Sequence, residues 1–86
     1  MDSLVNKLEH LLTSRFKDAE VDLERFRQSK KVGGFLIWKG FEGKEQIKRQ
    51  QAVWKLLRAQ LTKVELQRLT AILTLTPAEA VVEQED

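Results

Sequence analysis

From residue 3 to residue 15, apolar side chains recur at the spacing of one helical face. Leu4, Val5, Leu8, Leu11 and Leu12 stand at i, i+1, i+4, i+7 and i+8. Asp2 or Ser3 can cap the start of this helix. From Ala19 the period drops to two. Ala19, Val21 and Leu23 alternate with Glu20, Asp22 and Glu24, the mark of a strand with one buried face. Residues 25–32 are polar and basic and read as a turn or hairpin loop. Gly33-Gly34 then opens a second strand through Phe35-Leu36-Ile37-Trp38-Lys39, and two strands this close predict an antiparallel hairpin.

Gly40-Phe41-Glu42-Gly43 stops that strand. Residues 44–60 are predicted to be helical, with Ile47, Trp54, Leu57 and Leu61 on one stripe flanked by Val53 and Leu56. Thr62 followed by Glu65 is a capping-box pattern and restarts a short helix. Leu69, Ala71, Leu73 and Leu75 alternate with Thr70, Ile72 and Thr74, a third strand. Thr76-Pro77-Ala78-Glu79 is a second capping box, with proline at the first helical position, and opens a last helix. Glu83 to Asp86 is expected to fray. The predicted order is α-β-β-α-α-β-α. Three strands with the helices on one face make an α+β two-layer sandwich. Neither an internal repeat nor a linker divides residues 1–86, so one domain is expected.

Composition adds little to this until charge is placed along the chain. Of 86 residues, 42% are hydrophobic and 33% charged, an ordinary globular balance. The core of so short a chain is thin and is expected to lean on Phe16, Phe26, Phe35, Trp38, Phe41 and Trp54. No cysteine is present, which removes disulfides and thiolate chemistry and fits a reducing cytoplasm. The longest apolar run, Phe35 to Trp38, is too short for a bilayer. Met1-Asp2-Ser3 carries acid where a secretory signal carries base. A cytoplasmic protein without membrane attachment is expected.

The net charge of +2 conceals a segregation. Residues 1–24 hold three basic against six acidic side chains, a balance of −3. Residues 25–68 hold twelve basic against three acidic, a balance of +9. Residues 69–86 have four acidic and no basic side chains, a balance of −4. The basic block points to an anionic partner, with partial neutralisation by the acidic ends as the plainer reading.

Within that block the long helix carries the sharpest pattern. Lys44, Lys48, Gln51, Lys55 and Arg58 are spaced by four, three, four and three residues and line one exposed stripe without an acid, with Arg49 at its edge. Gly40 and Gly43 stand just before it, where small residues let a backbone approach a phosphate or simply make a tight turn. Trp54 lies on the apolar stripe and reads as core before it reads as a base-stacking platform. Catalytic residues are scarce. His10, the only histidine, stands off the apolar stripe and reads as a surface residue. Glu20, Asp22 and Glu24 share a strand face; three carboxylates there suit either a hard cation or the solvent side of an edge strand. No nucleophile, base and orienter assemble, so neither an enzyme, a bound metal nor a cofactor is expected.

Residues 41–79 carry a resemblance to the BolA-like family. Phe41-Glu42-Gly43 is similar to that family's Phe-x-Gly turn, Arg49-Gln50-Gln51 stands at its Arg-His-Arg group, and Val53-Trp54 and Leu57 follow at the family's spacing. Arg68 begins a strand that runs into Thr76-Pro77-Ala78-Glu79, as the family's last strand runs into Thr-Pro-x-Glu. The resemblance implies a fold like that of class II KH domains and a small regulatory protein of the stress-response kind. In the family, a histidine at the position of Arg68 ligates an iron–sulfur cluster shared with a monothiol glutaredoxin. A second histidine or cysteine lies between the first two strands, where residues 25–32 offer neither. Arginine has no lone pair for iron, so ligation by the family route is not expected.

The leading expectation is a BolA-like protein that binds nucleic acid, DNA or RNA, through Lys44, Lys48, Arg49, Lys55, Arg58 and Arg68, with Gly40 and Gly43 beside them. The alternative is a protein-interaction adaptor that contacts a monothiol glutaredoxin or another iron–sulfur assembly factor through the same face. A small enzyme is the third and least supported reading.

Overall fold

The computed structural model describes residues 3–84. Helix α1 (Ser3–Arg15) buries Leu4, Leu8 and Leu12, one side chain per turn, while His10 is exposed. Asp2, one of its two candidate caps, lies outside the described residues, and Ser3 is already helical. Strands β1 (Glu20–Phe26) and β2 (Lys31–Ile37) pair antiparallel, and β3 (Leu69–Leu75) joins β2 in parallel, giving the order β1-β2-β3. The hairpin loop is shorter than the polar run 25–32 suggested, because Arg25, Phe26, Lys31 and Val32 extend the ladder. Hydrogen bonding along the edges outweighs the polar composition there.

The crossover from β2 to β3 holds a short 3-10 turn (Lys39–Phe41), helix α2 (Gln46–Gln60) and helix α3 (Lys63–Gln67). Helix α4 (Pro77–Gln84) closes the order. It takes in positions 83 and 84 of the expected tail; 85 and 86 lie outside the described residues. Both capping boxes form. Thr62 Oγ1 accepts from the Glu65 backbone N–H while the Glu65 carboxylate accepts from that of Thr62, and Thr76 and Glu79 do the same for α4. Each capping glutamate also holds a cation from another helix: Lys7 Nζ donates to Glu65 at 3.0 Å, and Arg49 Nη1 donates to Glu79 at 2.6 Å.

Leu4, Leu8, Leu12 and Phe16 meet Val32, Leu36, Ile72, Val53, Leu57 and Leu61 in one cluster between the helices and one face of the sheet. Phe16, Trp38 and Phe41 close its end, with ring centroids 5.0 Å, 5.1 Å and 5.7 Å apart. Trp38 Nε1 donates to Lys17 O at 3.0 Å, which lets the indole pack without leaving a polar atom unmet. Two of the aromatics expected in the core are not there: Phe26 is 42% exposed and Phe35 36%. Both sit on the opposite face of the sheet.

In β3 the alternation alone does not say which set is buried. Ile72 and Thr74 face the core, and Leu73 points out, 50% exposed. A buried threonine is tolerated because α2 reaches over to meet it. Thr74 Oγ1 donates to Gln46 Oε1 at 2.7 Å, and Gln46 Nε2 donates to Thr74 O at 2.9 Å. Gln50 Nε2 donates to Ile72 O at 2.8 Å, while its Oε1 accepts from Trp54 Nε1 at 3.0 Å. These side chains satisfy carbonyls on the outer margin of β3, which no fourth strand covers among the described residues.

Candidate functional site

Helix α2 divides its residues cleanly by side. Arg49, Val53 and Leu57 are buried at spacings of four, the ridge that faces the sheet. Half a turn away, Lys48, Gln51, Lys55 and Arg58 are all exposed. No acidic residue occurs in α2, so this row repels itself slightly and has no internal neutralisation. Lys48 and Arg58 are about 15 Å apart along the axis at 1.5 Å per residue. The stripe of apolar residues sits rotated from the sequence reading: Ile47 is 61% exposed and Trp54 half-buried, while Val53 moves to the centre. The polar contacts of Gln46, Arg49 and Gln50 with β3 and α4 set this rotation, and hydropathy carries no trace of them.

Lys44 lies before the helix, in the turn, where its backbone N–H donates to Phe41 O and its Nζ hangs over the Trp38 ring at 6.0 Å. Gly43 has φ of 78°, a left-handed conformation that glycine adopts freely, and open space surrounds it. Gly40 serves packing. A Cβ there would lie 2.4 Å from the Trp38 ring, so the glycine exists to let the indole close over the backbone. The two glycines thus fill separate needs, and Glu45, not Gly43, is the N-cap of α2.

Arg49 corrects the sequence reading. It is 6% exposed and each nitrogen of its guanidinium has a partner: Nε donates to Lys44 O at 2.8 Å, Nη1 to Thr74 O at 3.3 Å, and both terminal nitrogens to the Glu79 carboxylate. It stacks 5.7 Å over Phe41. This arginine ties α2 to β3 and α4 and lies buried, apart from the exposed row. The Arg49 guanidinium, with the Thr76 backbone N–H second, holds the Glu79 carboxyl below the ordinary glutamate range. The Thr62 backbone N–H, with Lys7 next to it, does the same for Glu65.

Arg68 stands at the far end of the crossover, as the C-cap of α3. Its Nε donates to Lys30 O in the β1–β2 loop at 3.1 Å, and Lys31 Nζ donates to Gln67 O. The loop and the start of β3 are therefore adjacent, the two places where the family resemblance puts ligands for an iron–sulfur cluster. The side chains that meet there do not fit one: a guanidinium and ammonium groups offer no electron pair to iron. Among the described residues, no three His, Cys, Asp or Glu gather for a metal ion.

No family profile and no curated protein matches this sequence. Solved structures do match in shape. BolA1 from Arabidopsis thaliana superposes with a TM-score of 0.72 at 23% identity, over 92% of this chain and 98% of that one. The BolA domain of SufE1 from Arabidopsis thaliana gives 0.72 at 20% identity, with the same coverage. A Bol-like protein from Babesia bovis gives 0.63 at 20% identity, over 99% of this chain and 94% of that one. The fold is BolA-like: α+β, with a three-stranded mixed sheet and four α-helices among the described residues. Among the described residues, no helix is long and apolar enough to cross a membrane.

Proposed function

We propose that this chain, with its BolA-like fold, is a small regulatory binding protein of the cytoplasm. It contacts the phosphate backbone of nucleic acid through the outward side of α2 and needs no iron–sulfur cluster. One observation carries the reading: Lys48, Lys55 and Arg58 stand directly opposite the buried ridge of a helix that contains no acidic residue. A row of cations held rigidly at such spacing attracts a polyanion and displaces its counterions. Lys44 and Gly43 flank the row at its N-terminal end. Arg68 adds a cation beyond its C-terminal end, and Arg49 and Gly40 belong to the packing.

Affinity for an oligonucleotide should fall steeply with salt, log K losing about 0.9 per phosphate contact for each decade of salt on duplex DNA. Lys48→Glu with Lys55→Glu should abolish binding while the urea midpoint stays put, since both side chains are solvated. Unchanged binding by that double variant overturns the reading.

A second reading, a protein-interaction adaptor, draws support from one structural relative. The SufE1 match is a BolA domain within a named larger protein, so this fold is found joined to other polypeptide. Titrating the labelled chain with a monothiol glutaredoxin separates the two: shifts on α2 with that protein and none with oligonucleotide favour the adaptor.

A further inference from the structure

The sheet has two faces, and α1 and α2 cover one of them. On the other face, β1 contributes Glu20, Asp22 and Glu24, all exposed. β2 contributes Phe35 and Ile37, and β3 contributes Ala71, Leu73 and Leu75. The register sets these columns side by side: Asp22 opposite Phe35 and Phe35 opposite Leu73, then Glu20 opposite Ile37 and Ile37 opposite Leu75. Phe35 is 36% and Leu73 50% exposed, and Ala71 is exposed between them and the hairpin end. The apolar ground continues toward α4, where Ile37, Ala80 and Val81 line a shallow cleft of about 270 Å³ rimmed by Asp18, Glu20 and Lys39. None of the three β1 carboxylates has a hydrogen bond or ion pair among the described residues.

Two adjacent apolar columns about 4.8 Å apart form a band that suits one helix of about 10 Å diameter. α1 and α2 occupy the inner face in that way, and packed layers on both faces are a stable arrangement for a sheet. The unpaired acidic column fixes the sign of what lies beside the band. A nucleic acid is excluded by like charge. The chain's own α2 is a poor occupant, because Ile47 is its only exposed large apolar side chain. We infer that the outer sheet face docks an amphipathic helix of another protein, its apolar stripe on Phe35 and Leu73 and its Lys/Arg flank on Glu20, Asp22 and Glu24. This surface is separate from the basic side of α2, so it stands whether or not nucleic acid binds there.

Two synthetic helical peptides of about 15 residues test it, some 22 Å long, identical in their leucine stripe and differing only in Lys or Glu along one flank. The full labelled chain is titrated with each and followed by amide shifts. The Lys peptide should shift resonances of Asp22, Phe35 and Leu73 and bind at least about tenfold tighter than the Glu peptide. Phe35→Ser should weaken the Lys peptide about tenfold, as removal of a central aromatic does, with amide dispersion confirming the fold. Asp22→Lys, which keeps the apolar band, should narrow or invert the preference between the peptides. Absence of shifts, equal affinity for both peptides, or shifts confined to α2 overturns the inference. So does a concentration-dependent dimer in sedimentation that Phe35→Ser abolishes, because the occupant is then a second copy.

Discussion

The solvent side of α2 and the open face of the sheet lie on opposite sides of one thin sandwich, and they are built from different materials. The helix side is a single row of cations whose anchors, Val53 and Leu57, are wholly buried beneath it. The sheet face is a pair of apolar columns with acid along one margin. A helix can separate charge from core within one turn, since its residues fan around an axis. A strand has only two directions, so whatever does not enter the core must stand on the far side. This chain sends Phe35 and Leu73 there, and the cost of that exposure has its natural offset in a partner.

The contrast can be broken most severely from beneath. Leu57→Ala removes a fully buried side chain and should lower stability by about 3 kcal/mol in urea unfolding, weakening both surfaces together. Arg49→Met sharpens the distinction within α2 itself. It strips the Arg49 donors from Lys44 O and the Glu79 carboxylate, while Thr74 O keeps that of Gln46, and should cost about 2 kcal/mol, yet the salt slope of oligonucleotide binding should not change. A reduced slope would return Arg49 to the binding row. Lys55→Ala is the converse: stability within about 0.5 kcal/mol of the parent, and a slope shallower by about one. Phe35→Ser should leave that slope untouched.

The smallest effect concerns acid. Glu65 and Glu79 have lowered pKa values in the folded chain, so the stability they contribute is fully present above the ordinary glutamate range. It is lost as pH falls below that range and through their depressed values. The urea midpoint should drop across that interval, and Glu65→Gln with Glu79→Gln should flatten the drop. An unaltered pH profile in the double variant would remove both capping pairs from the account.

Most of the architecture was legible in the sequence. The 3.6-residue spacing of Leu4, Leu8 and Leu12 gave α1 to the residue, and the two Thr-x-x-Glu boxes marked the starts of α3 and α4 because capping is a local code. The exposed cations at 48, 55 and 58 were visible for the same reason. What stayed hidden depends on partners far away in sequence. Lys48 and Arg49 are neighbours in the chain and identical in charge, but only the tertiary fold puts Glu79 and Thr74 O within reach of Arg49. In β3 both alternating sets are apolar enough to face inward, and the choice fell to Thr74 because Gln46 and Gln50 could satisfy it. Gly40 answers to the ring of Trp38, a packing demand that glycine spacing does not encode.

The glutamines that reach from α2 to the margin of β3 have a consequence for life in a concentrated solution. Ile72 O and Thr74 O are already engaged by side chains of their own molecule. A passing extended segment would have to displace those amides before it could lengthen the sheet. The opposite margin carries three carboxylates on β1. The molecule is thereby guarded at both ends of its sheet against growing into a fibril, by amides on one side and by repulsion on the other.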